Sequence, residues 1–150
     1  MLHFWSKPLR QTVAFMVINL FLLGCNMAET RVPKSPQDKY VTEVAAAAAQ
    51  ESAKRLDAEL IALLRGGYTI ESVHYYRFDP DIPWVAIAKN VQNQMSEVAV
   101  SRQTLDWAEP GLDFAELYPQ GKKAFAVAML KDTPSNAAKF VGYYLLKSAK

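Results

Sequence analysis

Lys123-Ala124-Phe125-Ala126-Val127-Ala128-Met129-Leu130-Lys131 decides the fold. Phe125, Val127 and Met129 alternate with three alanines, the two-residue period of a β-strand. Large residues on one face and alanines on the other imply a strand covered on both faces. Lys139–Lys147 has the same character and lies across the turn-rich Asp132-Thr133-Pro134-Ser135-Asn136, so the two stretches are expected to pair as a hairpin. An alanine face admits close approach of a smooth helix. The chain supplies one: apolar residues recur near helical spacing at Val41, Val44, Ala45, Ala48, Ala49, Ala53, Leu56, Leu60, Leu63 and Leu64. Ser35-Pro36-Gln37-Asp38 reads as its start and Arg65-Gly66-Gly67 as its stop, which predicts one long helix over 36–65.

Tyr68–Phe78, rich in β-branched and aromatic residues, reads as a strand broken by Asp79-Pro80-Asp81-Ile82-Pro83. In Trp84–Met95, Trp84, Ile87, Ala88, Val91 and Met95 share a helical face, although Trp84–Ala88 alone would suit a strand. The polar Asn90–Gln94 favours a second, short helix, capped by Asp81. Glu97–Leu105 reads as a strand, and the stretch containing Pro110-Gly111 and Pro119 as irregular. The expected architecture is α+β: a long N-terminal helix and a second short one on a small, mainly antiparallel sheet.

The length of 150 residues suits one domain, and 51% hydrophobic with 21% charged residues suits a folded chain. One cysteine excludes an internal disulfide framework and multi-cysteine zinc sites, and no other metal site is expected. A net charge of +2 gives no basic footprint for nucleic acid.

The N-terminus differs in kind. Lys7 and Arg10 precede an apolar run, Thr12–Leu23, broken only by Asn19. Twelve residues are too few to span a bilayer, which needs about 20, but match the apolar core of a secretory signal. The run ends in Leu22-Leu23-Gly24-Cys25. This arrangement resembles bacterial lipoprotein precursors, whose lipobox is an apolar residue, a tolerant position, a small residue and cysteine. The resemblance implies cleavage between Gly24 and Cys25, a thioether-linked diacylglycerol on Cys25, and an acyl chain on its new amino group. No other cofactor is expected. Several acyl chains on one residue would anchor the chain stably, where a single chain is marginal. Asn26, where enterobacterial lipoproteins retained at the inner membrane tend to carry aspartate, favours the outer membrane facing the periplasm. The reading divides the chain into a signal over 1–24, a lipidated tether over 25–35 and a globular domain over 36–150. Lys7 and Arg10 leave with the signal, which removes the whole formal excess of charge.

Chemistry is sparse. His3 leaves with the signal, and His74 stands alone within a predicted strand without a Gly-x-Ser-x-Gly elbow. An envelope hydrolase built on His74 is the outsider against a structural or surface histidine. Asp79 and Asp81 are too few for a calcium site and suit a turn with a helix cap. Asp113 and Glu116 could be imagined as a glycosidase pair, but solvated surface positions are commoner. Lys122-Lys123, an adjacent basic pair, suits contact with lipid headgroups or, more commonly, protection of a strand edge. Tyr and Trp are enriched in binding hot spots, which makes Tyr75, Tyr76, Trp84, Trp107, Tyr143 and Tyr144 a candidate patch, against the commoner use of such residues as core. The reading favours no catalytic residue and a non-enzymatic accessory or scaffold with a protein partner in the envelope. The alternative is an inhibitor or immunity lipoprotein acting against a toxin, hydrolase or phage.

Overall fold

The structure, a computed structural model, describes residues 29–36, 39–98, 102–105, 111–131 and 138–150. Among these residues six strands run in chain order: β1 (Val41–Val44), β2 (Tyr68–Phe78), β3 (Gln103–Thr104), β4 (Leu112–Gln120), β5 (Lys123–Leu130) and β6 (Lys139–Ser148). They form one antiparallel sheet of order β1-β2-β6-β5-β4-β3, with α1 (Gln50–Leu64) and α2 (Trp84–Met95) on opposite faces. The α+β class is as expected.

The alternation in β5 organises both layers. Ala124, Ala126 and Ala128 pack with Ala53, Leu56 and Leu60 of α1. Phe125, Val127 and Met129 pack with Ile87, Val91 and Met95 of α2 on the other side. Alanine brings α1 close to the sheet, while the bulky face must be filled by larger side chains meeting α2.

The helix expected over 36–65 is corrected. Its N-terminal third is an edge strand, Val41-Thr42-Glu43-Val44, followed by a 3-10 turn over Ala46–Ala49 and the 15-residue α1. Three of the four β1 residues are β-branched, which favours extended backbone, and β2 offers an open edge to pair with, Val41 opposite Phe78 and Val44 opposite Tyr75. The stop was legible: Arg65 closes α1 in the left-handed region at φ 47°, followed by Gly66 at φ 73°.

Of the strand expected over Glu97–Leu105, the described residues show the two residues of β3, and a turn runs from Met95 to Val98 after α2. The stretch expected to be irregular contains β4, a core strand with Phe114, Ala115, Leu117 and Tyr118 buried. Pro119 survives there because it stands one pair from the β4–β5 turn. Gln120 pairs Lys123 and Pro119 pairs Ala124, and the alternation of an antiparallel ladder turns the proline nitrogen away from β5.

Gly142 of β6 sits opposite Tyr75 of β2 and Ala128 of β5, and the Tyr144 ring lies over it. A methyl group there would meet that ring, with the Tyr144 hydroxyl oxygen at 2.6 Å. Tyr144 is fully buried and has nowhere to retreat. Gly142→Ala is expected to lower stability by about 2–3 kcal/mol through overpacking. A urea midpoint unchanged from the parent would refute this account.

Candidate functional site

The segment before β1, expected to be a tether, is docked on the domain from Arg31 to Ser35. Gln120, the last residue of β4, donates through Nε2 to Arg31 O at 2.9 Å and accepts from Arg31 N–H at 2.8 Å. Gln94 of α2 does the same for Lys34, donating to its carbonyl and accepting from its N–H, both at 2.9 Å. Each glutamine amide thus acts as a one-residue strand partner, which satisfies backbone groups that an extended segment otherwise leaves to water. Pro33, between the clamps, and Ser35, just past the second, are buried while Val32 and Lys34 face outward. The segment is a strap across the α2 side of the domain. Cys25 and Gly24 lie outside the described residues, as does the rest of 1–28.

The strap leads into the edge strand. β1 closes the sheet on one side, and among the described residues no strand pairs with its outer edge. Asp79 N–H donates to Tyr40 O at 2.9 Å, so the ladder alternation turns the N–H and C=O groups of Val41 and Glu43 outward. Two hollows flank this edge. One, of about 490 Å³, is lined by Pro36, Tyr40, Val41, Phe78, Ile82 and Ile87 among others. The second, of about 510 Å³, is lined by Lys39, Thr42, Val44, Ala48, Arg77 and neighbours.

Inside the domain the polar chemistry is committed to two carboxylates. Asp57 of α1 accepts from Tyr75 Oη at 2.8 and 2.9 Å, on its two oxygens, and from Tyr144 Oη at 2.9 Å. The tyrosine rings meet edge to face at 6.4 Å between centroids. Burial first, and then the Asp57 carboxylate, raise both hydroxyls above the ordinary tyrosine range. On the opposite face Glu116 of β4 is only 3% exposed. It accepts from Tyr118 Oη at 2.6 Å and from Gln92 Nε2 at 3.2 Å, and the Arg102 guanidinium lies 3.7 Å away. Burial and the Glu116 bond raise Tyr118 likewise. Asp113 is exposed, so the two acids imagined as a pair have separate surroundings.

The remaining candidates fall as follows. His74 is exposed on β2, its Nδ1 at 2.8 Å from Glu43 Oε1 of β1. Asp79 Oδ1 accepts from Asp81 N–H at 3.0 Å, which makes a turn; Asp81 gives α2 no side-chain cap, and Pro83 occupies that position. Among the described residues no group of three or more His, Cys, Asp or Glu converges as a metal-holding cluster. Tyr75, Tyr143 and Tyr144 are at most 4% exposed. Tyr75 and Tyr144 belong to the α1 core, whereas Tyr143 belongs to the α2 core with the half-buried Tyr76 and Trp84. These side chains fill both interiors and do not form a contiguous outer patch; Trp107 lies outside the described residues. Neighbouring residues on a strand face opposite ways, and with both sheet faces covered each tyrosine pair is divided between two cores.

Sequence reasoning missed the clamps of Gln94 and Gln120 and the buried acid Glu116. No local pattern marks a glutamine that will bridge a segment far away in the chain. For Glu116 a signal was present: Phe114, Glu116 and Tyr118 share one strand face, which places the acid between two core aromatics. Comparison with known families, curated proteins and solved structures gives no match.

Proposed function

We propose that the chain is a lipid-anchored lipoprotein of the bacterial envelope, at the outer membrane facing the periplasm. Its α+β domain serves as a non-enzymatic protein-interaction module, an accessory or scaffold of a larger assembly. The membrane half of this reading comes from Lys7, Arg10, the apolar Thr12–Leu23 and the Leu22-Leu23-Gly24-Cys25 box standing in order. The observation that carries the interaction half is the outer edge of β1, four residues long and bordered by two hollows, one lined largely by apolar side chains. An extended segment of a partner protein can add to such an edge, drawing affinity from main-chain bonds and selectivity from the flanking hollows.

Photocrosslinking in intact membranes tests it. A photoreactive residue at Thr42 on β1 is expected to give one discrete protein adduct, and one at the exposed Val85 on α2 to give little. Absence of a discrete adduct from either position would overturn the module reading. An adduct with an incoming hydrolase or toxin would replace the scaffold role with inhibition.

A further inference from the structure

The strap fixes which end of the domain meets the membrane, an inference that rests on the lipid-anchored reading above. Five residues, Asn26 to Thr30, separate Cys25 from Arg31, where the first clamp holds the strap. At ~3.3–3.6 Å per residue that span reaches about 20 Å even when fully extended. A lipidated Cys25 therefore holds the Arg31–Gln120 clamp close to the headgroup layer, whatever the rest of the domain does.

That clamp stands at a basic end of the sheet. Gln120 opens the β4–β5 turn, Gly121-Lys122, in which Gly121 takes φ 66°. Lys123 faces Lys147 across β5 and β6. Ser148 N–H donates to Lys122 O at 2.9 Å, and Ala149 N–H to Gly67 O at 3.1 Å, which brings the ends of β6, β5 and β2 together. Arg31, Arg65, Lys122, Lys123, Lys147 and Lys150 therefore share one rim. Glu71 offsets Lys123 at 2.8 Å, Glu97 lies 3.7 Å from Arg31, and Glu29 precedes the strap. Positive charge remains in excess, with Arg65, Lys122, Lys147 and Lys150 exposed. Lys122-Lys123 guards no strand edge, because β4 and β5 both lie inside the sheet order.

We propose that this rim is a membrane-contact surface that engages the anionic headgroups of phospholipids. A negatively charged leaflet attracts basic residues within about a Debye length, ~8 Å at physiological salt, and the short span from Cys25 lets the rim come within that range. The anchor supplies residence at the membrane and the rim supplies orientation. The β1 edge, at the other end of the strap, is then turned away from the bilayer.

The test uses the processed lipoprotein reconstituted through its own anchor into vesicles of phosphatidylcholine alone or of phosphatidylcholine with phosphatidylglycerol. A membrane-impermeant amine-acylating reagent and mass spectrometry read each lysine. Labelling of Lys122, Lys147 and Lys150 relative to Lys131, at the opposite end of β5, is expected to fall about five-fold in the anionic vesicles, an effect of the size of one basic residue's attraction, and to recover at high salt. The exposed double variant Lys122→Glu/Lys147→Glu should lose the protection of Lys150, while Lys89→Glu, at an exposed position of α2, keeps it. Equal labelling ratios in the two vesicle types, or protection insensitive to salt, would overturn the contact surface. The anchor is scored separately, by the mass of the Cys25 peptide and by flotation with neutral vesicles. An unlipidated Cys25 would end the anchored reading. The rim would then stand or fall on whether the chain floats with anionic vesicles in a salt-sensitive manner and not with neutral ones.

Discussion

Raising the pH above about 10 is expected to unfold this domain steeply, within one to two pH units. Tyr75, Tyr118, Tyr143 and Tyr144 are buried, and burial raises each hydroxyl above the ordinary value near 10. Asp57 adds to this for Tyr75 and Tyr144, and Glu116 for Tyr118, because a carboxylate that accepts the proton's hydrogen bond disfavours its loss. Tyr143 has a buried hydroxyl with no hydrogen-bond partner among the described residues, so ionisation there has nothing to offset it. Above the unfolded value the unfolded chain has released these protons while the native chain still holds them. Stability is therefore fully present below about pH 10 and falls as pH rises, by about 1.4 kcal/mol per pH unit for each group. Four groups together give a slope of about 5 kcal/mol per unit, against a total stability of about 5–15 kcal/mol for an ordinary domain. Tyrosinate absorbance and far-ultraviolet circular dichroism should change in one concerted step. A smooth tyrosine titration near 10 with the secondary structure intact would contradict the burial described here.

The same tyrosines show how far the sequence could be read. Adjacency in Tyr75-Tyr76 and Tyr143-Tyr144 requires opposite faces, and the alternation in β5 requires cover on both, so the two-core arrangement was within reach of periodicity alone. Trp84–Met95 was legible as a helix because its apolar residues share a face, and the structure places α2 over those same residues. The failures have a common cause. β1 was absorbed into a helix because Val41 and Val44, three residues apart, satisfy helical spacing; in the strand they face opposite ways, Val41 to the α2 core and Val44 to the α1 core, and only pairing with β2, distant in sequence, decides for the strand. β4 was missed because Pro119 looks like a breaker, and its tolerance depends on where the β4–β5 turn falls. The strap's docking was not legible, because a polar, proline-containing stretch that reads as a tether shows no local reason to dock. Its partners, Gln94 and Gln120, lie 60 and 89 residues away in the chain. Local periodicity carried what local physics decides, and contacts made at long separation stayed hidden.

Asp57 is the clearest case of such a contact, and its removal is expected to be the most damaging single substitution on the α1 side. Asp57→Ala leaves the hydroxyls of Tyr75 and Tyr144 without their acceptor, and those tyrosines are 4% and 0% exposed. Hydrogen bonds to a charged group contribute about 1.5–3 kcal/mol each, so the loss should reach about 3–5 kcal/mol. The reverse deletions are gentler. Tyr75→Phe or Tyr144→Phe removes one donor together with its own desolvation penalty, and the carboxylate keeps the other. Each should cost about 1–2 kcal/mol, and Asp57→Ala should exceed the two together. Urea midpoints at a fixed m-value measure all three, and a double-mutant cycle between Asp57 and Tyr144 isolates their coupling. An Asp57→Ala cost below about 1 kcal/mol would mean that α1 is held to the sheet by its alanine and leucine contacts alone. A cost above the sum of the tyrosine deletions would show that the carboxylate is what fixes the helix over the alanine face of β5.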